Sequence, residues 1–447
     1  MAAMTGLARG LAGLALALIV LLAPMAVQAQ SLIRDAEIEY ALKRLTQPLA
    51  VAAGLSPQRV RVMVLQDSSL NAFVLDGQTI MVHSGLLLRL ESAAELQAVI
   101  AHELAHIANG HITRRLANIR GAGSAAGMGL LMSLAVAATG NADAAAGLAM
   151  GSSSTAQRLL FAHTRAEESS ADQAGARYMA RAGISPQAMV DVLEMFRGQE
   201  ALSETRQDPY VRTHPLHADR LRSVRGYASA YKGTAQPDAE ADYWFARARG
   251  KLGAFLQSPR YTLRRAEKDK TAIGMMRRAV AWHRTPDAKR AMAELARLEA
   301  AQGGDPFVQE LKGQILLESR QFGPAAQAYA RAVRMAPNEP LILAGYGRAL
   351  LALDRPGENR QALDALEKAR ARDPFDPRML RDLAVAYART GNNGMASVAT
   401  AERYAIMGRM DTAGVHARRA EGLLPRGSPG WLRADDILAA AERSARK

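Results

Sequence analysis

A chain of 447 residues is longer than one hydrophobic core usually organises, so two or three domains are expected. Apolar residues make up 49% and charged residues 22%, a balance that excludes both a disordered chain and a polytopic membrane protein. With a formal net charge of +14 and no cysteine, the protein has no disulfide, thiolate ligand or Cys-linked lipid anchor, and any metal falls to His, Asp and Glu.

Residues 1–29 run from Arg9 through an apolar stretch, Leu11 to Ala23, to small residues ending at Val27, Gln28 and Ala29. This is the pattern of a signal peptide cut after Ala29, and the apolar run is shorter than the roughly 20 residues a spanning helix needs. From Asp35 to Ala53 the spacing of Ile38, Leu42, Leu45 and Leu49 predicts a helix. Alternation at Val60, Val62 and Val64, and again at Phe73, Leu75, Ile80 and Val82 around Asp76-Gly77, predicts a small sheet with a hairpin. Ser92-Ala-Ala-Glu95 reads as a capping box that opens a helix through Leu96, Val99, Ile100 and Leu104. Residues 121–138 and 144–150 are rich in Ala, Gly, Met and Leu and read as apolar loops or short helices able to touch a membrane surface. Another helix is predicted over 164–182, stopped by Gly183 and Pro186.

Beyond about residue 230 the pattern is all-helical. Between Arg260 and Arg290 the cations Arg264, Arg265, Lys268, Lys270, Arg277, Arg278 and Lys289 outnumber Glu267, Asp269 and Asp287. An exported chain would turn such a patch toward anionic lipid or acidic protein, not nucleic acid; a plain solvated helix face is the alternative. From Pro306 the chain repeats: Pro306 to Pro340 and Gly313 to Gly347 are each 34 residues apart, and Tyr329, Ala332 and Pro337 recur in kind as Leu366, Ala369 and Pro374. That period is the one of tetratricopeptide-type helix hairpins, with a degenerate third copy expected around Ala401 to Pro425. The domains expected are therefore a signal peptide (1–29), an α+β domain (30–230), a helical connection (231–304) and a repeat domain (305–447). The class is mainly α, with one α+β domain that holds the small sheet.

Chemistry concentrates at His102-Glu103-Leu104-Ala105-His106. Residues four apart share a helix face, so both imidazoles can reach one ion, and Glu103 beside them can contact a water on it. A third protein ligand is needed. His111, five residues beyond His106, would lie about 140° round a continuous helix and reads as structural. On the later helix Glu168 stands four residues before Asp172, one carboxylate for metal and one for the free N–H of a ligating histidine; Glu167 is the alternative ligand.

HELAH, Glu168 with Asp172, Asn71-Ala72-Phe73, Gly85-Leu86-Leu87 and Thr213-His214-Pro215 together resemble the HtpX and CAAX-prenyl-protease family of zinc peptidases. The signal peptide and repeats are similar to its periplasmic branch. Ser170 departs from the family pattern, which has a glutamate two residues before the aspartate. The resemblance implies that 30–230 is a zinc metallopeptidase domain of zincin type, with one Zn2+ per chain held by His102, His106 and Glu168, Asp172 orienting a ligand and Glu103 as the base. It implies that Asn71, Ala72 and Phe73 form an edge for substrate backbone, that His214 is a switch residue occupying the open metal position, and that Arg220 lies nearby. It implies a periplasmic endopeptidase that degrades misfolded or stalled outer-membrane proteins, assists their assembly, and reaches the assembly machinery through its repeats. A chaperone or scaffold with latent peptidase activity is the alternative.

Overall fold

The computed structural model describes residues 31–111, 113, 114, 164–203 and 206–445; the expected signal peptide and the apolar stretches 121–138 and 144–150 lie outside the described residues. The chain enters through a short strand, β1 (Ser31–Ile33), which the sequence did not announce, and then helix α1 (Ala36–Ala52), capped by the Asp35 carboxylate accepting from Ile38 N. Strands β2 (Arg61–Gln66), β3 (Ala72–Val74) and β4 (Thr79–His83) follow. The expected hairpin is β3–β4, antiparallel with Phe73 opposite Met81. The strands do not follow one another across the sheet: the order is β1-β2-β4-β3, with β2 and β4 parallel, so β3 is an edge.

Helices α2 (Ser84–Arg89) and α3 (Ala93–Ala108) come next. Ser92 caps α3 by accepting from Glu95 N at 3.2 Å, but the return bond of the expected capping box goes elsewhere: Glu95 Oε2 accepts from Glu91 N at 2.7 Å. The full reciprocal box belongs to Thr164 and Glu167, which open α4 (Arg165–Arg181). The domain continues with α5 (Gln187–Glu194), α6 (Pro209–Thr213) and α7 (Ala218–Ala230). One face of the sheet, with Val62, Val64, Ile80 and Val82, closes a core against Leu42, Leu45 and Leu49 of α1 and Leu96, Val99 and Ile100 of α3.

Helix α8 (Ala239–Leu256) belongs to this core as well, through Phe245, Ala248 and Leu252. After α9 (Pro259–Ala266), α10 (Ala272–Arg284) and α11 (Ala288–Ala301) make a hairpin. A second core runs from Ala254 through Val280 and Leu295 to Ile315, so apolar packing is continuous across residue 304. Beyond it come α12 (Pro306–Glu318) and α13 (Phe322–Met335), then α14 (Pro340–Leu353) and α15 (Pro356–Arg372). They are followed by α16 (Pro377–Arg389) and α17 (Asn393–Ile406), then α18 (Met410–Leu423) and α19 (Pro429–Ala445). The expected third copy around 401–425 thus straddles two real hairpins, 377–406 and 410–445.

The period has a packing cause. A Cβ on Gly313 would sit 2.6 Å from the Tyr329 ring, and one on Gly347 would sit 2.5 Å from Leu366 Cγ. In these two hairpins a glycine on the first helix makes room for the bulky residue on the second. The described residues therefore build an α+β domain followed by tetratricopeptide-like repeats, and among them no helix is long and apolar enough to cross a membrane.

Candidate metal centre

Helices α3 and α4 cross where the side chains are small: Ala105 meets Ala171 and Ala174, and the backbone at Gly175 approaches that of Ala101 and His102. That close crossing brings the HELAH face of α3 against Glu168 and Asp172. Nε2 of His102 and Nε2 of His106 lie 3.0 Å apart. Glu168 Oε2 is 3.4 Å from His102 Nε2, and Glu168 Oε1 is 3.3 Å from His106 Nε2. His214, delivered by the C-terminus of α6, places Nδ1 3.3 Å from His102 Nε2 and 3.1 Å from Glu168 Oε1. One donor atom from each of His102, His106, Glu168 and His214 lies within 4.8 Å of the other three.

The donor set fits a divalent metal. Imidazole nitrogens and a carboxylate oxygen converge on one buried point, and one cation accepts a lone pair from each. Glu103 sits beside this point, fully buried, and neither of its oxygens accepts a hydrogen bond among the described residues. His214 Nε2 stands 3.4 Å from Glu103 Oε1.

The surrounding residues hold the donors in place. Asp172 Oδ1 lies 3.0 Å from His102 Nδ1, and the Arg220 guanidinium grips Asp172 with Nε at 2.7 Å and Nη2 at 3.0 Å. Arg220 Nη1 also reaches Glu168 Oε2 at 2.7 Å. The arginine expected merely nearby thus bridges both carboxylates. Glu167, the alternative ligand, turns its carboxylate back to Thr164 N at 2.9 Å, while Glu168 is wholly buried at the donor cluster.

The expectation for His111 assumed an unbroken helix. In fact α3 ends at Ala108, and Gly110 takes φ +68, a left-handed conformation that glycine adopts without strain. The chain turns back, so His111 Nδ1 lies 2.9 Å from His106 Nδ1 and its ring is buried. His111 therefore positions the second histidine. Tyr210 was not anticipated either: its ring lies 4.7 Å from Phe196 on one side and 4.7 Å from His214 on the other. The four-residue spacing of Tyr210 and His214 was its one signal in the sequence.

At the sheet edge, Asn71 O accepts from His83 N and Thr79 O accepts from Leu75 N. The odd-numbered residues thereby spend their backbone groups on β4, and Ala72 turns its peptide outward. His214 Nε2 lies 3.2 Å from Ala72 O, and Asn71 Oδ1 accepts from Thr213 Oγ1 at 3.2 Å.

Charge at the centre is set by burial and close partners. Burial opposes a charge on His102, but Glu168 and Asp172 overcome it and push its pKa up to about 10. Burial and the neighbouring His102 push His106 down to about 3. Burial pushes the Glu103 carboxyl up; Glu168, buried as deeply, is held well below the usual carboxylate range by Arg220 and His214.

Residues 36–228 match the profile of Peptidase family M48. Over this span the chain is similar to the peptidases of family M48. It is accordingly a metallopeptidase, and its metal-competent histidines and glutamate fall within the matched span. Over 360 residues it is 28% identical to the beta-barrel assembly-enhancing protease of Escherichia coli (strain K12), covering 78% of this chain and 72% of the relative. Metalloprotease LoiP of the same organism is 29% identical over 211 residues, 46% of this chain and 77% of that protein. Among solved structures, MamA MSR-1 C2 matches 45% of this chain and 97% of its own at 16% identity, with a TM-score of 0.30.

Proposed function

We propose that this chain is a zinc-dependent endopeptidase of the periplasm that degrades misfolded or stalled outer-membrane proteins and assists their assembly. The observation that carries the reading is the convergence of His102, His106 and Glu168 on one buried point beside Glu103. The relative named for enhancing β-barrel assembly supports the substrate class and the compartment. A signal peptide cut after Ala29 fits that location.

Zinc held by His102, His106 and Glu168 would supply Lewis acidity toward the scissile carbonyl and the attacking water. Glu103 takes the proton of that water on a carboxylate oxygen and returns it to the leaving amine. The Asp172 carboxylate, 3.0 Å from His102 Nδ1, favours the proton on that nitrogen and leaves the Nε2 lone pair for the ion, and Arg220 fixes Asp172. The outward peptide of Ala72 pairs with the backbone of an extended substrate, a mode suited to unfolded chains because it reads no side chain.

In the conformation described, His214 stands against the donor cluster, Glu103 and the Ala72 carbonyl at once. It must leave before water and substrate can enter, which makes it a latch. The complete burial of His102, Glu103, His106 and Glu168 favours the second reading, a repeat-based chaperone or scaffold with latent peptidase activity.

The purified protein, analysed for zinc and incubated with an unfolded outer-membrane β-barrel protein, decides between them. Zinc near one per chain with cleavage abolished by Glu103→Gln is expected. Zinc present without cleavage by either the wild type or a His214→Ala variant would overturn the peptidase reading in favour of the scaffold.

A further inference from the structure

The basic stretch that stood out in the sequence does not lie flat on the surface. Helices α8, α9 and α10 enclose an open cleft of about 560 Å³. Its floor is one stripe of α8, in which Asp242, Phe245, Arg249, Gly250, Gly253 and Gln257 recur at helical spacing. Gly250 lets α10 pack close, a Cβ there standing 3.0 Å from Ile273 Cγ2 and 3.4 Å from Arg277 Cδ, and so draws the Arg277 stem down beside α8. Arg265 and Tyr261 of α9 complete this end.

Three guanidiniums, Arg249, Arg265 and Arg277, therefore share one concavity. Arg249 donates from Nε to Leu88 O at 3.2 Å; Arg265 and Arg277 make no hydrogen bond or ion pair among the described residues. Half-burial and the charges of Arg265 and Arg249 bring the Arg277 pKa below its usual value, with Asp269 acting the other way. Oδ1 of Asp269 is already engaged, accepting from Thr271 N at 2.9 Å and Thr271 Oγ1 at 2.6 Å. The other carboxylates of the cleft are Asp242, eight residues or about 12 Å along α8 from Gly250, and Glu91, which faces Arg89 at 3.7 Å. Three guanidiniums gathered in one cleft, two of them without a hydrogen bond or ion pair among the described residues, are an arrangement that folding alone does not require.

We propose that this cleft binds a phosphate group, clasped by Arg249, Arg265 and Arg277. Guanidinium forks match phosphate oxygens two at a time, and the Tyr261 hydroxyl adds a donor at the rim. Asp242 and Glu91 exclude a second anion from the far end and offer acceptors for hydroxyls, so the carrier is a polyol phosphate. An anionic lipid headgroup and a soluble phosphate ester share that chemistry. The cleft is separate from the metal centre and owes nothing to the peptidase reading.

The test measures inorganic phosphate binding by calorimetry, and vesicle flotation with phosphatidylcholine alone or mixed with phosphatidylglycerol. Wild type is compared with Arg265→Gln/Arg277→Gln and with Arg260→Gln/Arg264→Gln, two exposed arginines outside the cleft. The cleft variant should weaken phosphate binding roughly tenfold or more per guanidinium, and the control pair by less than about threefold. Any phosphate held at the metal persists in all three proteins, so the difference belongs to the cleft. Flotation that needs phosphatidylglycerol and disappears in the cleft variant identifies the headgroup as the source. Phosphate binding lost in the cleft variant, with no flotation by the wild type, identifies a soluble ester. The exposed single variant Arg265→Gln repeats the measurement if the double variant fails to fold. Equal phosphate affinity in wild type and cleft variant, or equal weakening by the control pair, overturns the proposal.

Discussion

Replacing Lys251 by Met should destabilise the chain more than almost any other change of one charge. Its ammonium is wholly buried on α8 between Asp35 Oδ2 at 2.9 Å, Glu37 Oε2 at 3.2 Å and Glu310 Oε2 at 3.3 Å. Arg247, one turn earlier, pairs with Glu37 and with Asp305. Asp35 and Glu37 stand at the start of α1, Asp305 and Glu310 at the start of α12, so the cluster bolts the peptidase domain to the repeats. Four carboxylates face two cations, and Lys251→Met leaves four against one. Removing one partner of a buried pair costs about 3–5 kcal/mol, because the remaining charges stay desolvated. At roughly 2–3 °C per kcal/mol for a unit of this size, the first thermal transition should fall by roughly 6–15 °C. The pH dependence is a second readout. Burial, opposed by Lys251, raises the Glu310 pKa to about 7. The folded state then binds a proton more tightly than the unfolded chain between the ordinary glutamate pKa and about 7, so stability falls as pH rises through that window. Glu310→Gln should flatten that fall. Thermal denaturation followed by circular dichroism from pH 5 to 8 measures both effects. A Lys251→Met variant within about 1 kcal/mol of wild type would refute the assignment of the cluster as a buried bolt.

His102→Ala, His106→Ala and Glu168→Ala should each strip the metal, measured by elemental analysis, while Glu167→Ala should retain it, since that carboxylate only caps α4. Glu103→Gln should keep the metal and lower peptide hydrolysis by about a hundredfold or more, the usual loss when a general base is removed. His214→Ala should retain metal and raise hydrolysis of an unfolded substrate; unchanged or lower activity would end the latch reading. Gly347→Ala should destabilise the repeats by about 1–3 kcal/mol in a denaturant titration, because its Cβ would meet Leu366 Cγ at 2.5 Å and that packing penalty exceeds the gain in helix propensity.

Some features of this protein follow from local sequence alone. The periodic spacing of Ile38, Leu42, Leu45 and Leu49 is α1 to within a residue at either end, and the turn at Asp76-Gly77 is the β3–β4 hairpin. HELAH placed two imidazoles on one face with a glutamate beside them because a helix fixes the relative direction of residues four apart. The 34-residue period declared helix hairpins, since the pairing of a glycine with a bulky residue recurs from Gly313–Tyr329 to Gly347–Leu366. These are short-range constraints, carried by backbone geometry within a few turns.

What depended on contacts distant in sequence could not be read there. The choice between Glu167 and Glu168 waited on which of two adjacent carboxylates faced α3 and which turned back to Thr164. His111 became a partner of His106 through a single left-handed glycine that ends the helix early. Arg220 joined Glu168 and Asp172 across about 50 residues, and the parallel pairing of β2 with β4 left Ala72 on an open edge that no alternation of side chains reveals. Lys251 looked like one more charge on a helix in a chain of net charge +14. Only the docking of α8 against α1 and α12 takes it out of water, and desolvation by groups far away in the chain has no signature in the residues beside it.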